Sequence, residues 1–327
     1  MSSVKYNIIQ NERKIETNEL NVRARGGTEL MQERLVSSIP AELLNHFQII
    51  PSRVRDIDPT KKAILWLHDL PNDPESQHLK DPESRKRFVK IVAVSDWQMQ
   101  MYNLVLGLPY DECVVLKNAI IPIDIKEKEY DGTVRIIYHT TPHRGLEIVV
   151  PVFEQLAERY DNIVLDVFSS FSIYGWEQRD RPYDSLFERC KQHPRINYHG
   201  SVSNDDIRAA LTRSHIFAYP SIWPETSCLA AIEAMSAKNI VVCPNFAALP
   251  ETCANFANMY QWTEDKDKHA HRFMYMLEST INDVIKHDEK FHGNILNFQK
   301  QFFDINYNWN NRSLQWASMF SSLLNKG

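Results

Sequence analysis

Short apolar runs recur along the chain, and helices are predicted between them. The clearest runs are 63–67, 89–94, 134–138 and 163–168. Such a run predicts a strand buried on both faces, and strands that alternate with helices predict a parallel sheet. Because the pattern comes in two blocks, it predicts an α/β fold of two Rossmann-like domains whose parallel sheets face each other across a cleft.

The boundary between the two blocks falls near residue 120. We predict a first domain over 1–120, a second domain over 121–308 that begins with a linker, and an amphipathic closing helix over 309–327 that packs back on the first domain. A further strand is predicted at 6–9. Ser95 is a suitable cap for a helix that ends at Gly107.

The stretch 218–251, AYPSIWPETSCLAAIEAMSAKNIVVCPNFAALPE, organises the rest of the chain. Pro220 and Pro224 interrupt a strand, and helix-forming residues follow, so a helix is predicted to begin near Thr226 or Ser227. The free amides of its first turn, from Thr226, Ser227 and Cys228, would bind an anion such as a pyrophosphate. Glu225 and Glu233 lie eight positions apart and could accept hydrogen bonds from a sugar hydroxyl and a ribose, respectively.

This glutamate pair, preceded by Pro-Ser and followed by Glu-Ala-Met, resembles the donor site of the retaining glycosyltransferases of family 4. The resemblance implies a GT-B architecture, with an acceptor-side first domain and a second domain that binds a nucleotide sugar. It is closest over 134–254 and weaker before Asn118.

The resemblance gives a role to three residues that the pattern alone leaves open. On their own, Gly27 could mark a tight turn, His68 could be a structural histidine, and Arg144 could be a surface arginine. The family implies that the Gly27 loop faces the donor diphosphate, that His68 contacts the donor sugar, and that Arg144 binds the phosphates.

The chain departs from the family pattern at several positions. Many members carry an arginine about six positions before Arg144, whereas this chain has Tyr-His-Thr at 138–140. Glycines usual in the family are replaced by Lys238 with Asn239, where we expect the asparagine to take the left-handed cap, and by the Ala-Ala pair at 247–248.

The resemblance implies transfer of a sugar from a UDP- or GDP-linked donor to a glycan, lipid or other acceptor, with retention and without a metal or other cofactor. Two alternatives stay open. An epimerase on the same fold would change the sugar without any acceptor, and a non-catalytic subunit of a glycosylation complex would fit the missing glycines and arginine. A glycosidase is disfavoured because no second acid is placed across the cleft.

Composition and charge narrow the range of partners and cellular locations that the sequence allows. The net charge is -5, and the basic residues are scattered, so nothing favours nucleic acid as a partner. No apolar run has the length of a transmembrane helix, and the first residues lack a signal-peptide pattern, so we expect a cytoplasmic protein. The five cysteines have no metal-ligand spacing and are expected to be buried free thiols, with Cys228 acting through its amide.

Overall fold

The computed structural model describes residues 26–286 and 289–325, without the side chains of 289–292. The strand predicted at 6–9 lies outside the described residues.

The first half is built on a four-stranded sheet. Its strands are all parallel and lie in the order β1-β2-β3-β4. They are β1 (Phe47–Pro51), β2 (Lys62–Trp66), β3 (Lys90–Ala93) and β4 (Cys113–Val115). The helices of this half are α1 (Gly27–Ser38), α2 (Ala41–Leu44), α3 (Pro82–Arg85) and α4 (Asp96–Leu106).

The second half is built on a six-stranded parallel sheet in the order β10-β9-β8-β5-β6-β7. Its strands are β5 (Val134–Tyr138), β6 (Ile163–Val167), β7 (Ile196–Tyr198), β8 (Ile216–Ala218), β9 (Ile240–Pro244) and β10 (Asn258–Tyr260). The helices after β5 are α5 (Leu146–Ala157), α6 (Asp184–Gln192), α7 (Asn204–Arg213), α8 (Leu229–Ser236), α9 (Leu249–Cys253), α10 (Lys266–Lys286), α11 (Glu289–Asn306) and α12 (Trp309–Asn325). These two parallel sheets confirm the predicted α/β fold class.

Helix α12 packs on the sheet of the first half although it ends the chain. The Trp316 ring meets Trp66 edge-on at 4.9 Å, and the Phe320 ring stacks on Phe47 at 4.6 Å. We call these four aromatic residues the α12 seam. The chain returns beside its first crossing between the halves, because the Ile120 amide donates to the Tyr307 carbonyl at 2.6 Å.

The predicted capping of α4 is confirmed. The Ser95 hydroxyl accepts from the Gln98 amide at 3.0 Å, and Gly107 ends the helix with φ 69°. Both signals are local, since a side chain that caps a helix acts on amides two or three residues away.

The predicted start of α8 is wrong by two or three residues. The helix begins at Leu229 with Cys228 as its N-cap, so the stretch before it is a loop. Contacts with the first half hold this loop, because the Thr226 carbonyl accepts from the Ser95 hydroxyl at 2.6 Å and its hydroxyl donates to the His68 carbonyl at 3.0 Å. Tertiary contacts thus override the helical propensity of the segment.

The left-handed position after α8 also differs from the prediction. Lys238 takes it with φ 59°, and not Asn239. The Asn239 side-chain amide is instead bonded to the carbonyls of Leu211 and Ala234, at 3.0 and 3.1 Å. Ala247, one of the two alanines at positions where the resemblance led us to expect glycine, also has a positive φ of 51°.

Candidate functional site

The candidate site lies where the strand order of the second sheet reverses. From β5 the chain moves outward to β6 and β7, and it then returns to place β8 on the other side of β5. Ligands of open α/β sheets bind in the crevice that such a reversal leaves at the carboxyl ends of the strands. The loops that follow β5 and β8 therefore form the walls of the site.

A glycine lets these two loops meet. Gly145 has φ 136°, and a Cβ at this position would lie 2.4 Å from the Pro220 carbonyl oxygen. No other residue could bring the start of α5 so close to the loop after β8. The preceding residue, Arg144, is thereby held beside Glu225.

Arg144 and Glu225 form an ion pair at the base of the site. The guanidinium donates to Glu225 Oε1, and the Tyr219 hydroxyl donates to the same oxygen. Glu225 is only 5% exposed. Burial works against the charge of Arg144, but the Glu225 carboxylate, together with Tyr219 and Tyr174, outweighs it and raises the pKa of Arg144 well above its usual value. Arg144, which was predicted to bind the phosphates, and Glu225, which was predicted to bind a sugar hydroxyl, are therefore bonded to each other.

Several buried polar atoms around this pair have no hydrogen-bond partner among the described residues. In the loop after β5 they are His139 Nε2, Thr140 Oγ1, Thr141 Oγ1 and His143 Nδ1, and at the end of β2 the atom is His68 Nε2. Buried polar groups are nearly always paired, so a cluster of unpaired ones points to a ligand that would supply the partners.

The three histidines of this cluster are neutral at pH 7. Burial lowers the pKa of His68, His139 and His143 to about 3 in each case, with a smaller contribution at His143 from the charges of Arg144 and Arg179. They therefore add no positive charge to the site. Sequence reasoning missed His143 and Thr141, although a run of polar residues directly after a buried strand was a usable signal.

His68 lies at the carboxyl end of β2 in the first half. Its amide donates to the Ser52 hydroxyl at 2.8 Å, and its ring meets Trp66 at 4.5 Å. Since its carbonyl also accepts from Thr226, the histidine is fixed beside the loop that precedes α8. The structure thus brings His68 to the same cleft as Glu225.

The double glycine at the start of α1 packs against the second half. A Cβ on Gly26 would lie 2.2 Å from Tyr174 Cε1, and a Cβ on Gly27 would lie 3.1 Å from Leu229 Cδ1. A side chain at the first position would collide with an aromatic ring. The loop at Gly27 therefore closely approaches the start of α8 across the cleft.

Glu233 occupies a separate pocket in the middle of α8. It is 5% exposed, and its two oxygens accept from Arg208 at 3.1 Å and from Asn204 at 3.2 Å. Arg34 reaches Asn204 from α1 at 3.5 Å. A ribose in this pocket would share Glu233 with partners that the carboxylate already has.

The loop residues before α8 play different parts. Thr226 bonds to the first half with both its carbonyl and its hydroxyl, and Ser227 lies half-buried between it and the helix. Cys228 is buried, and burial followed by the Glu225 charge raises the pKa of its thiol well above the usual value. The thiol is therefore protonated. All five cysteines of the chain are buried and free.

A second carboxylate joins the two halves at the edge of the cleft. Glu251 accepts from the amides of Asp96 and Trp97 at 3.1 and 2.9 Å, and it pairs with Lys117 at 2.9 Å. A carboxylate is stabilised at the start of α4 because the first amides of a helix have no partner within the helix and because its N-terminal end carries a partial positive charge. We call these contacts, together with the Ser95 to Thr226 hydrogen bond, the clasp.

Two other kinds of site are not found in the part of the chain that the structure describes. In 26–286 and 289–325, no group of three or more His, Cys, Asp or Glu side chains is arranged to hold a metal ion. Across the same residues, no helix combines the length and apolarity needed to span a bilayer.

The sequence of this chain is similar to those of known proteins. The family model described as glycosyl transferases group 1 matches residues 122–293. The phosphatidylinositol N-acetylglucosaminyltransferase gpi3 subunit of Schizosaccharomyces pombe is 22% identical over 181 residues, which are 54% of this chain and 37% of that protein. The match thus spans well under half of that relative's length.

Solved structures show the same fold at low sequence identity. A glycosyltransferase from Rickettsia africae has a TM-score of 0.67 and 16% identity, over 95% of this chain and 85% of that one. Anabaena Alr3699/HepE, solved in complex with UDP, has a TM-score of 0.61 and 15% identity, over 80% and 72% of the two chains. These likenesses show that the two parallel sheets are arranged as in GT-B glycosyltransferases.

Proposed function

This chain belongs to the glycosyl transferases of group 1, and we propose that it moves a sugar from a UDP- or GDP-linked donor to a glycan, lipid or other acceptor. The observation that carries the proposal is the Arg144–Glu225 pair at the strand reversal, surrounded by buried polar atoms that have no partner in the described residues. A donor with phosphates and hydroxyls would supply those partners. We further propose that the chain is a retaining enzyme of the family 4 type.

In this proposal the second half binds the donor and stabilises the leaving diphosphate. Arg144 and the loop amides of Thr226, Ser227 and Cys228 face the phosphates, together with the Gly27 loop from the first half. Glu233 accepts hydrogen bonds from the ribose, in a pocket that it shares with Arg208. No metal is required in this proposal, because guanidinium and backbone N–H groups can bind a diphosphate directly.

The donor sugar lies between Glu225 and His68. Glu225 accepts from its hydroxyls, and the neutral His68 ring exchanges hydrogen bonds with it near the reacting carbon. The bond from the anomeric carbon to the diphosphate oxygen breaks, and the acceptor oxygen bonds to the same face of the sugar. The acceptor's proton passes to the diphosphate oxygen, so no protein nucleophile is needed.

A thermal-shift screen tests the donor site. We expect UDP or GDP, or one of their sugar conjugates, to raise the melting temperature, whereas ADP would not, and EDTA would leave the shift unchanged. A ligand at a hundredfold excess over its Kd stabilises a protein by about 2.7 kcal/mol. Glu233→Gln should reduce the shift, while Glu154→Gln, which alters a pair with Arg189 outside the site, should not. No shift with any nucleotide would overturn the donor-site assignment.

One observation favours a second candidate, a non-catalytic subunit. Arg144, the basic residue that the family places against the phosphates, is engaged by Glu225, and His139 in the loop after β5 is neutral. A subunit of this kind would bind a nucleotide but show no transfer that depends on Glu225. A transfer assay with Glu225→Gln separates the two candidates, because only an enzyme would lose turnover. Product analysis in the same assay would reveal an epimerase.

A further inference from the structure

The donor site has less positive charge than its proposed ligand requires. A nucleoside diphosphate brings several negative charges, and Arg144 is already paired with Glu225. The loop after β5 offers no second cation, because the His139 ring packs on Phe217 at 4.4 Å and is neutral, since burial lowers its pKa to about 3. Another cation would have to come from a different part of the fold.

The loop between β6 and α6 lies against this site and is held in place by its own side chains. Asp180 accepts from the Phe171 amide at 2.8 Å and from the Ser170 hydroxyl. The Phe171 ring stacks on His143 at 5.1 Å with the planes 17° apart. The loop is therefore fixed against the residue that directly precedes Arg144.

Arg179 is the cation that this loop presents. Its guanidinium carbon lies 4.7 Å from the centre of the Trp176 ring and 5.3 Å from that of Phe171, the ring that also stacks on His143. Over the described residues, no carboxylate pairs with the Arg179 side chain and no acceptor takes a hydrogen bond from it. An arginine held over aromatic faces keeps its N–H groups free for another partner.

We propose that Arg179 binds the diphosphate of the donor and so supplies the second cation that the loop after β5 lacks. The inference rests on the proposed function, since it needs a nucleoside diphosphate in the site. A guanidinium suits this role because its N–H groups match a phosphate in a bidentate manner. The aromatic rings orient the side chain before the donor arrives, which lowers the entropy lost on binding.

Isothermal titration with ligands that differ in phosphate content tests this role. The probes are UDP and GDP, the nucleosides uridine and guanosine, and inorganic pyrophosphate. The variant is Arg179→Gln. The matched control is Arg181→Gln, which removes the same charge from an exposed side chain two positions along the loop. We expect Arg179→Gln to lower the affinity for UDP, GDP and pyrophosphate by about tenfold to a hundredfold, the range for the loss of a charge-assisted hydrogen bond.

Nucleoside binding and the control distinguish recognition from folding. Uridine or guanosine should bind the variant as they bind the wild type, and Arg181→Gln should bind every probe normally. Arg179→Lys keeps the positive charge but loses the paired N–H donors of the guanidinium. Its affinity for the diphosphates should fall between those of the wild type and Arg179→Gln, and it serves as the test if Arg179→Gln does not fold.

Three results would overturn the inference. Unchanged binding of UDP, GDP and pyrophosphate by Arg179→Gln would show that the guanidinium does not contact the diphosphate. Equal weakening of nucleosides and diphosphates would assign Arg179 a structural role only. Failure of the wild type to bind any of the probes would overturn the proposed function and, with it, this role.

Discussion

Two of the places where the halves of the molecule meet differ in chemistry. At the α12 seam, rings from the first sheet and from helix α12 pack at 4.6 and 4.9 Å in a buried apolar cluster. At the clasp, Glu251 bonds to the amides of Asp96 and Trp97 and to Lys117, and its side chain is 22% exposed. Opening the seam would expose apolar surface, whereas water can replace the partners of the clasp.

This difference separates a permanent contact from an exchangeable one. The α12 seam holds helix α12 to the first half, while the clasp lies beside the loop that precedes α8. We therefore expect the seam to decide the stability of the fold, and the clasp to decide how the two faces of the cleft approach each other. A variant that changes one place and leaves the other intact tests each expectation.

The largest effect is expected for Trp316→Ala. Trp316 is fully buried and packs on Trp66 and Phe320, and truncating such a side chain costs about 3–5 kcal/mol. Urea denaturation measures the loss. Leu314→Ala, on the exposed side of the same helix, should change the free energy of unfolding by less than about 0.5 kcal/mol. A similar loss in both variants would contradict the assignment of stability to the seam.

A smaller effect is expected for Glu251→Ala. The variant removes a carboxylate from two amides and a lysine, for which about 1–2 kcal/mol is reasonable at a partly exposed site. Small-angle scattering should show a larger radius of gyration, because the halves lose the Glu251 contacts that tie them at the edge of the cleft. The control is Glu278→Ala, since Glu278 is 26% exposed and pairs with Arg159 inside the second half. If both variants keep the wild-type radius, the clasp does not hold the cleft.

The contribution of the clasp should depend on pH in a stated direction. Burial opposes the charge of Glu251, but the Trp97 amide and Lys117 outweigh it and hold the pKa below its usual value. A depressed pKa in the folded state gives stability that is present above the unfolded pKa, near 4.3, and is lost as the pH falls through the folded pKa. The stability difference between the wild type and Glu251→Gln should therefore shrink below about pH 4.

A neighbouring carboxyl acts in the opposite direction. Burial and the Glu251 charge raise the pKa of Asp96, so its protonation begins at a higher pH and relieves repulsion. Measuring Asp96→Asn and the double variant over the same pH range isolates the Glu251 contribution. A stability difference that grows at low pH in the Asp96→Asn background would contradict the expected direction.

The smallest effect is expected for Lys117→Met. Lys117 is about one-third exposed and contributes an ion pair at 2.9 Å, and pairs of this kind are worth about 0–1 kcal/mol. The variant should leave the amide contacts of Glu251 in place, so the radius of gyration should not change. The stability difference should vanish in about 1 M salt, where charges are screened. A difference that persists in salt would indicate that the lysine acts through packing.

Much of the fold could be predicted because its signals are local. The limits of β5 at Val134–Tyr138 match the apolar run, and α4 begins and ends at the residues that cap it. The start of α8 was mispredicted because the residues that hold Thr226 in a loop, Ser95 and His68, are 131 and 158 positions away along the chain.

Some residues of the candidate site were indicated by the sequence in two ways. The residue pattern indicated Glu225, and the resemblance added His68 and Arg144. Neither signal indicated that Arg144 would be bonded to Glu225, which lies 81 positions away. Arg179 was missed because the apolar residues of its loop follow no periodic pattern. Its proposed role rests on the aromatic rings that surround it in the structure.

The buried cysteines make the movement of the halves measurable by site-directed labelling. Because all five native thiols are enclosed by the fold, a maleimide or nitroxide reagent would find only cysteines that have been introduced. Leu104 on α4 and Tyr275 on α10 are 73% and 74% exposed and lie on opposite halves. A spin-label pair at these positions would report the distance between the halves in an otherwise native chain, with and without a nucleotide.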